Sequence, residues 1–236
     1  MGFRKAVALL ASGRGERASL DVPKQFAYLH GKPLFLRALE PFSEAAEWES
    51  LVITIPEGFE DFVASAVEEF LREKRTGFRK VSVVKGGSTR AESSKIAVEK
   101  LFEEVGEESL VLIHDAARPF PSVELINRVV RALESGAEAV VPAVPVRDSL
   151  IFKDGLGYFE RDKLLAVQTP QGFHLGVLKR LFDEFWMPDL KDDASVFVLA
   201  GRKVALVEGD RLNFKITYPE DLKIAEVICE KLLGRK

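Results

Sequence analysis

The sequence predicts an α/β fold: a mainly parallel twisted sheet with helices on both faces and a β-hairpin arm. Three observations predict it. Short apolar runs alternate with segments of helical spacing, the loops after the runs are rich in Gly, Ser and charged residues, and a two-sided apolar hairpin interrupts this rhythm once. With 236 residues and no Ser- or Gly-rich linker, one domain spanning 1–236 is expected.

The elements follow in order. Ala6 to Leu10 reads as a buried strand, and Leu51 to Ile55 as a second. Phe59, Phe62, Val63, Ala66, Val67, Phe70 and Leu71 keep helical spacing after it. Val81 to Val84 is a short strand followed by Gly86-Gly87. Thr89 and Glu92 then stand at capping-box spacing, opening a helix to about Val105. Leu110 to Ile113 is a strand, Leu125, Ile126, Val129, Val130 and Leu133 form a helix face, and Ala139 to Val144 is a further strand. Strands joined through helices imply right-handed crossovers, with ligands beyond the carboxyl ends of the strands.

Residues 147–161 break the pattern. Leu150-Ile151-Phe152-Lys153, Asp154-Gly155 and Leu156-Gly157-Tyr158-Phe159 predict a hairpin closed by a two-residue Asp-Gly turn. Ile151 and Phe152 point to opposite faces, and a lone two-stranded ribbon is marginal in water, so something must cover it. Two arrangements satisfy this: an arm packed on the same arm of a second subunit, or a β-edge folded onto its own domain. A helix to about Phe185, a strand near Val204 to Val207 and a last helix follow. Thr217 and Glu220 stand at capping-box spacing before that helix, with Pro219 in its first turn. Lys215 falls in a short strand just before it, a place that by period alone suits a solvated edge residue.

Composition narrows the partners. With 47% apolar and 30% charged residues and a formal net charge of -3, the chain reads as an ordinary globule, binding neither nucleic acid nor membrane. It has no 18-residue apolar stretch and no signal-peptide pattern, so a cytoplasmic protein is expected. The lone Cys229, in an apolar helical segment, reads as a packed thiol.

Chemistry concentrates at strand ends. Ala6–Leu10 opens into Ala11-Ser12-Gly13-Arg14-Gly15-Glu16-Arg17 and then Pro23-Lys24-Gln25-Phe26. Small residues leave backbone N–H groups uncovered, and Arg14, Arg17 and Lys24 add positive charge, so the loop suits a polyphosphate. Gly13-x-Gly15 is followed by Ala18, and no acidic residue ends the second strand, which argues against a dinucleotide fingerprint. Leu110–Ile113 ends in His114-Asp115-Ala116-Ala117-Arg118-Pro119. Asp115 there can hold Mg²⁺ against phosphate oxygens, directly or through water, or can pair with Arg118 and cap the turn; spacing fits both. His114 suits packing rather than catalysis.

Taken together, GRGER, PKQF, GGSTRAES, HDAARPF, PVRDS, RDKLLAVQTPQGF, DDAS and NFKIT-PEDL resemble the 2-C-methyl-D-erythritol 4-phosphate cytidylyltransferases of non-mevalonate isoprenoid biosynthesis, over nearly the whole chain. The resemblance implies a Rossmann-like, glycosyltransferase-A-like nucleotidyltransferase fold that transfers CMP from CTP to methylerythritol phosphate with Mg²⁺, as a homodimer joined through the 147–161 arm. It further implies that Ala11, Ser12, Gly13, Gly15, Arg17 and Lys24 wrap the triphosphate. By the same resemblance Gly87, Ser88 and Ser93 read cytosine and nearby nucleoside groups, and Asp115 and Ala116 lie by the Mg²⁺-triphosphate. Asp115, Arg118, Ser149, Arg161, Thr169 and Lys215 are implied for the acceptor. Arg17 and Lys24 would stabilise the attacked α-phosphate, and Arg161 and Lys215 would orient the attacking phosphate.

The chemistry agrees with these roles. A phosphate oxygen is already a nucleophile at pH 7, so no Ser-His or Cys-His pair is needed, and catalysis reduces to positioning and charge neutralisation. The chain departs from the family in Ser12 for a common Ala, Ala18 for a common Met, Ser149 for a common Thr and Lys191 for a common Thr. The alternative within the class is a ribitol 5-phosphate cytidylyltransferase, which shares the glycine loop and QTPQ. Arg161 followed by Leu164 and Gln168, together with HDAARP, favours methylerythritol phosphate. A non-catalytic nucleotide-binding subunit would need the fold but not Arg17, Lys24, Arg161 and Lys215 together.

Overall fold

The computed structural model describes residues 2–13, 23–73 and 77–233. Its elements run β1 (Arg4–Leu10), β2 (Tyr28–Leu29), β3 (Lys32–Pro33), α1 (Leu34–Ala45), β4 (Ser50–Ile55), α2 (Glu60–Glu73), β5 (Val81–Lys85), α3 (Arg90–Val105) and β6 (Ser109–Asp115). They continue with α4 (Val123–Glu134), β7 (Ala139–Pro145), β8 (Leu165–Val167), β9 (Gln171–His174), α5 (Leu175–Phe185), α6 (Ser195–Leu199), β10 (Ala205–Glu208) and α7 (Pro219–Leu233). β2 and β3 form a small ribbon of their own. The main sheet has the order β10-β7-β9-β6-β1-β4-β5, with β8 added to β7.

Half of this sheet is parallel throughout. β1 pairs in parallel with β4 and β6, and β4 pairs in parallel with β5. The other half is mixed: β9 runs antiparallel to both β6 and β7, and β8 antiparallel to β7, while β10 is again parallel to β7. Gln171–His174, which the sequence reading leaves unassigned, is thus a central strand. It is short and contains Gly172, whose absent side chain leaves room for Val129 and Leu133 of α4.

Both faces of the sheet are covered, so its strands are apolar at successive positions rather than alternately. Val7 and Leu9 of β1 pack with α1, α2 and α4, whereas Ala6 and Ala8 pack with α3, α5 and α6. A smaller cluster of Leu29, Leu34, Ile216, Ala225 and Cys229 fastens α7 to the β2–β3 ribbon. Cys229 is a packed thiol, as expected, and burial pushes its pKa up. No helix among the described residues is long and apolar enough to cross a membrane.

Local chemistry explains the differences from the sequence reading. Helix α1, which the sequence reading leaves unassigned, keeps helical spacing in its buried Phe35, Leu36, Leu39 and Phe42; Pro33 precedes its first residue and Pro41 lies inside it. The expected cap at α3 forms, Thr89 Oγ1 accepting from the Glu92 amide at 3.1 Å, but the Glu92 carboxylate turns to the Ser88 amide and hydroxyl. The expected Thr217–Glu220 box at α7 does not form. Asp221 Oδ2 instead accepts from the Thr217 and Tyr218 amides, at 2.7 and 2.8 Å, and the Thr217 hydroxyl donates to the Lys215 carbonyl.

The 147–161 hairpin forms, with a different turn. Phe152 N–H donates to the Gly157 carbonyl and Phe159 N–H to the Leu150 carbonyl, leaving a four-residue loop, 153–156, rather than the two-residue Asp-Gly turn. Asp154 Oδ1 accepts from the Leu156 amide at 3.0 Å and Gly155 takes φ 75°, so the aspartate stabilises the longer loop from within. Phe152 and Phe159 pack at 4.1 Å between ring centroids, and Ile151, Leu156 and Tyr158 are exposed, Leu156 at 88%.

Phe173 of β9 is fully buried and stacks on Phe197 of α6 with centroids 5.5 Å apart. Phe173→Ala is expected to cost about 3–5 kcal/mol, read as a lower urea midpoint at unchanged slope. A midpoint within error of wild type would show that β9 is not a core strand.

Candidate functional site

A cavity of about 720 Å³ opens at the carboxyl ends of β1, β5 and β6, floored by Leu10 to Gly13, Lys85 to Arg90, Asp115 and Ala117, with Lys24 and Lys215 beside them. The strands create it by ending at different heights. Ala11 N–H still reaches the Thr54 carbonyl, Gly86 N–H the Ile55 carbonyl and Ala116 N–H the Leu10 carbonyl, and beyond those bonds the chains part.

Two segments form the glycine-rich side. The buried Gln25 donates its amide to the Ala11 and Gly13 carbonyls, at 2.7 and 2.8 Å, fixing the start of the first loop. Ser12 Oγ donates to Ser93 Oγ at 2.6 Å, and Ser93 also accepts from the Gly87 amide and donates to the Thr89 carbonyl. The second loop therefore hangs on the first through two hydroxyls. Gly86 sits so close that a Cβ there would lie 2.3 Å from the Ser12 Cβ. Ser93 and Ser88, expected beside the nucleoside, are engaged inside this framework, Ser88 through Glu92. Arg14, Gly15 and Arg17 lie outside the described residues.

The opposite side is ionic. Asp115, at the end of β6, accepts at Oδ1 from Arg90 Nε (3.0 Å) and at Oδ2 from Lys215 Nζ (2.7 Å). Burial alone would raise its pKa, but the Arg90 and Lys215 charges override it and hold the carboxyl far below the usual range. Lys24 Nζ donates to the Ile216 carbonyl at 2.8 Å, tying the two lysine-bearing segments together. Lys215 is neither in a strand, where the sequence reading puts it, nor a solvated edge residue. It lies on an extended segment outside the sheet, docked by Ile216 N–H on the Ala117 carbonyl.

Thr169, Arg118 and Ala116 lie behind this floor. Thr169 is buried, its hydroxyl accepting from the Asp115 amide at 3.1 Å and lying 3.0 Å from His114 Nδ1. His114 Nε2 is 2.9 Å from the Arg118 carbonyl, which only accepts. Nε2 therefore carries the proton and Nδ1 accepts from Thr169, so His114 is a neutral structural relay. Arg118 donates from Nη1 to the Asn213 carbonyl at 2.9 Å. The Asn213 amide donates in turn to the Thr169 carbonyl at 2.7 Å. Ser149 and Arg161 stand apart, exposed at the feet of the arm, where Arg161 Nη1 donates to the Arg147 carbonyl. Neither lines the cavity of the protomer.

Several residues that organise the site had no role assigned from sequence. Gln168 donates to the Asp210 carbonyl and accepts from the Asp210 amide, holding the loop that leads to Lys215. Gln171 does the same for the 192–195 loop, donating to Asp192 and accepting from the Ala194 amide. Arg90 and Asp193 pair at 2.8 Å. The signal was present in QTPQGF, GGSTRAES and DDAS, but their glutamines, arginine and aspartates act on one another across the fold, which no single motif displays. Among the described residues no group of three or more His, Cys, Asp or Glu forms a metal cage. Two carboxylates line the cavity among the described residues: Glu57, paired with Lys85, and Asp115, both of whose oxygens face cations.

The buried His114 predicts a pH effect on stability. Burial lowers its pKa to about 4 from the ordinary 6.5, with Asp115, Arg118 and Lys215 the charged groups around it. The unfolded chain therefore binds a proton first, and stability falls as pH drops from about 6.5 to about 4, by about 3 kcal/mol in all. Urea midpoints across that window should fall in the wild type and change less in His114→Asn; equal slopes would remove histidine as the cause.

Comparison with known proteins agrees with this geometry. The family model of 2-C-methyl-D-erythritol 4-phosphate cytidylyltransferase (IspD) matches residues 6–231. A relative of that name from Rubrobacter xylanophilus is 40% identical over 232 residues, covering 94% of each chain. The crystal structure of the enzyme of that name from Thermus thermophilus superposes with a TM-score of 0.74 at 32% identity, over 97% of this chain and 100% of that one. A 4-diphosphocytidyl-2C-methyl-D-erythritol synthase from Anaerococcus prevotii gives a TM-score of 0.78 at 25% identity, over 97% and 96%. On this match and on a strand-end cavity that joins glycine loops to paired cations, the chain belongs to the 2-C-methyl-D-erythritol 4-phosphate cytidylyltransferase family.

Proposed function

We propose that the chain transfers the cytidylyl group of CTP to 2-C-methyl-D-erythritol 4-phosphate, giving 4-diphosphocytidyl-2-C-methyl-D-erythritol and pyrophosphate. A phosphate oxygen of the acceptor attacks the α-phosphorus of CTP; the bond from that phosphorus to the bridging oxygen breaks, and pyrophosphate leaves with the electron pair. The observation that carries this reading is the meeting of Lys24, Asp115 and Lys215 beside two glycine loops in one cavity.

Each group has a task that its chemistry suits. Backbone amides of Ala11 to Gly13 and Gly15 cradle phosphates, and Arg17 and Lys24 neutralise charge on the attacked phosphoryl group. Gly87 and Ser88 form the wall that reads the base, and Ser93 fixes that wall from behind. Lys215 brings in the acceptor phosphate together with Arg161 and Ser149 reaching across from the arm of a second copy, while Thr169 and Arg118 act from behind the floor, fixing the Asp115 amide and the segment that leads to Lys215. Two anionic phosphates must come within about 3 Å of one another, which several fixed cations make possible.

Mg²⁺ would arrive with the substrate, held by phosphate oxygens and water; Asp115 would meet it through a second lone pair of an oxygen that already accepts from Arg90 or Lys215. When bound, it neutralises triphosphate charge. We place the protein in the cytoplasm, as one domain, and as a homodimer in which the arm of each protomer covers the other. The exposed Leu150, Ile151, Phe152, Leu156 and Tyr158 support that pairing, and so does the absence of Ser149 and Arg161 from the lining of their own cavity.

Pyrophosphate release decides the activity. With Mg²⁺, turnover is expected for CTP with methylerythritol phosphate and not for other triphosphates, for ribitol 5-phosphate or with EDTA. Turnover with ribitol 5-phosphate would select that acceptor instead. Lys24→Ala should lower turnover about 10²–10³-fold with the fold intact. Lys215→Ala should raise the acceptor KM more than the CTP KM, and a selective rise for CTP would reverse its assignment. Sedimentation at micromolar concentration should give a dimer that Phe152→Asp dissociates; a monomeric wild type would remove the arm's role.

A further inference from the structure

Arg90 has the strongest unassigned position in the molecule. It is the first residue of α3, directly after the Thr89 cap, so its backbone is fixed by the cap and by the loop on which Gly87 hangs. Its guanidinium joins two carboxylates that are far apart in sequence: Nε donates to Asp115 Oδ1 at 3.0 Å and Nη2 to Asp193 Oδ2 at 2.8 Å. Asp193 is 2% exposed, and its loop is held by Gln171. On the far side, Asp115 Oδ2 takes Lys215 Nζ at 2.7 Å. The four groups form one chain, Asp193–Arg90–Asp115–Lys215, with two positive and two negative charges.

This balance separates two roles that an arginine on a phosphate-binding cavity can play. Arg90 adds no net positive charge to the site, because Asp193 offsets it at the outer end. A planar guanidinium bound to two carboxylates also resists rotation, which a lysine ammonium in the same place would not. We propose that Arg90 is a positioning residue for cytidylyl transfer: with Asp193 as its anchor, it holds Asp115 in the orientation that places the Lys215 ammonium for the attacking phosphate. This rests on the transfer reading above and adds to it a residue that acts through Asp115 rather than on the nucleotide.

The two roles predict opposite results, which steady-state pyrophosphate release and calorimetric binding of CTP without acceptor or Mg²⁺, so that the metal contact of Asp115 does not enter, can read on the full chain. For a positioning residue, Arg90→Lys and Arg90→Gln both lower kcat about 10–100-fold and raise the acceptor KM, while CTP affinity stays within about threefold. Asp193→Asn shifts kcat the same way, and Arg90→Lys/Asp193→Asn is no worse than Arg90→Lys alone, since both act through one contact chain. For a direct phosphate ligand, Arg90→Lys keeps most of its CTP affinity, Arg90→Gln loses it, and Asp193→Asn strengthens CTP binding by removing a nearby negative charge. That second pattern, or wild-type kcat in Arg90→Lys, would overturn the proposal. Should the arginine variants fail to fold, Asp193→Asn decides alone by the direction of its effects on kcat and CTP affinity. A wild-type chain without turnover would overturn the transfer reading and this proposal with it, whereas an active wild type with unaltered variants overturns only the proposal.

Discussion

A carboxylate buried at the end of a central strand must be kept ionised by neighbours, and Asp115 meets that constraint with two cations drawn from opposite sides of it in the chain. Arg90 comes from the start of α3 and Lys215 from the segment before α7, 100 residues beyond Asp115. Satisfying one oxygen at each partner requires the start of α3 and the 213–217 segment both to reach the carboxyl end of β6, and β6 to end beside β1. Much of the architecture around the cavity follows from those three placements.

The surrounding polar contacts serve the same end. Thr169 takes the Asp115 amide and donates its own proton to His114, so the strand end is held by a neutral relay beneath the charged layer. Gln168 and Gln171 flank Thr169-Pro170, and each grips the backbone or carboxylate of one loop. One loop leads to Lys215 and the other carries Asp193. The Gln-Thr-Pro-Gln segment thus connects both ends of the Asp193–Arg90–Asp115–Lys215 chain while leaving its charged groups to one another.

Strand and helix identity was legible where the apolar period was followed, as in Ala6–Leu10 and the α2 and α4 faces, and α3 through its Thr89 cap, because burial against a sheet leaves a strong pattern. It was missed at β9, a four-residue strand interrupted by Gly172, and at α1, whose apolar spacing is intact but whose sequence carries Pro41 inside it. At the site, Lys24, Asp115 and Lys215 were readable from motif order, and the structure brings them to one cavity. What sequence could not carry was the partner of each side chain. The same spacing that suggested an Asp115–Arg118 pair leaves Arg118 facing the Asn213 carbonyl and Asp115 facing Arg90, because tertiary contacts across 25 and 100 residues outweigh a local one. The boxes at α3 and α7 differed for the same reason, a carboxylate having several amides within reach and choosing by geometry.

The two glutamines carry a consequence for how the site responds to its medium. Each uses both halves of a neutral amide, one donating and one accepting. A glutamate would lose the donor, and a shorter asparagine would lose reach. Dissolved salt screens exposed charges within about 10 Å at 0.1 M but acts much less on buried and part-buried hydrogen bonds, three of these four being uncharged and the fourth ending on the Asp192 carboxylate. Rising ionic strength therefore weakens the attraction of polyanionic substrates to the cavity while the frame that spaces Asp193 and Lys215 keeps its shape. Recognition is tunable by the solvent; the geometry that awaits the substrate is not.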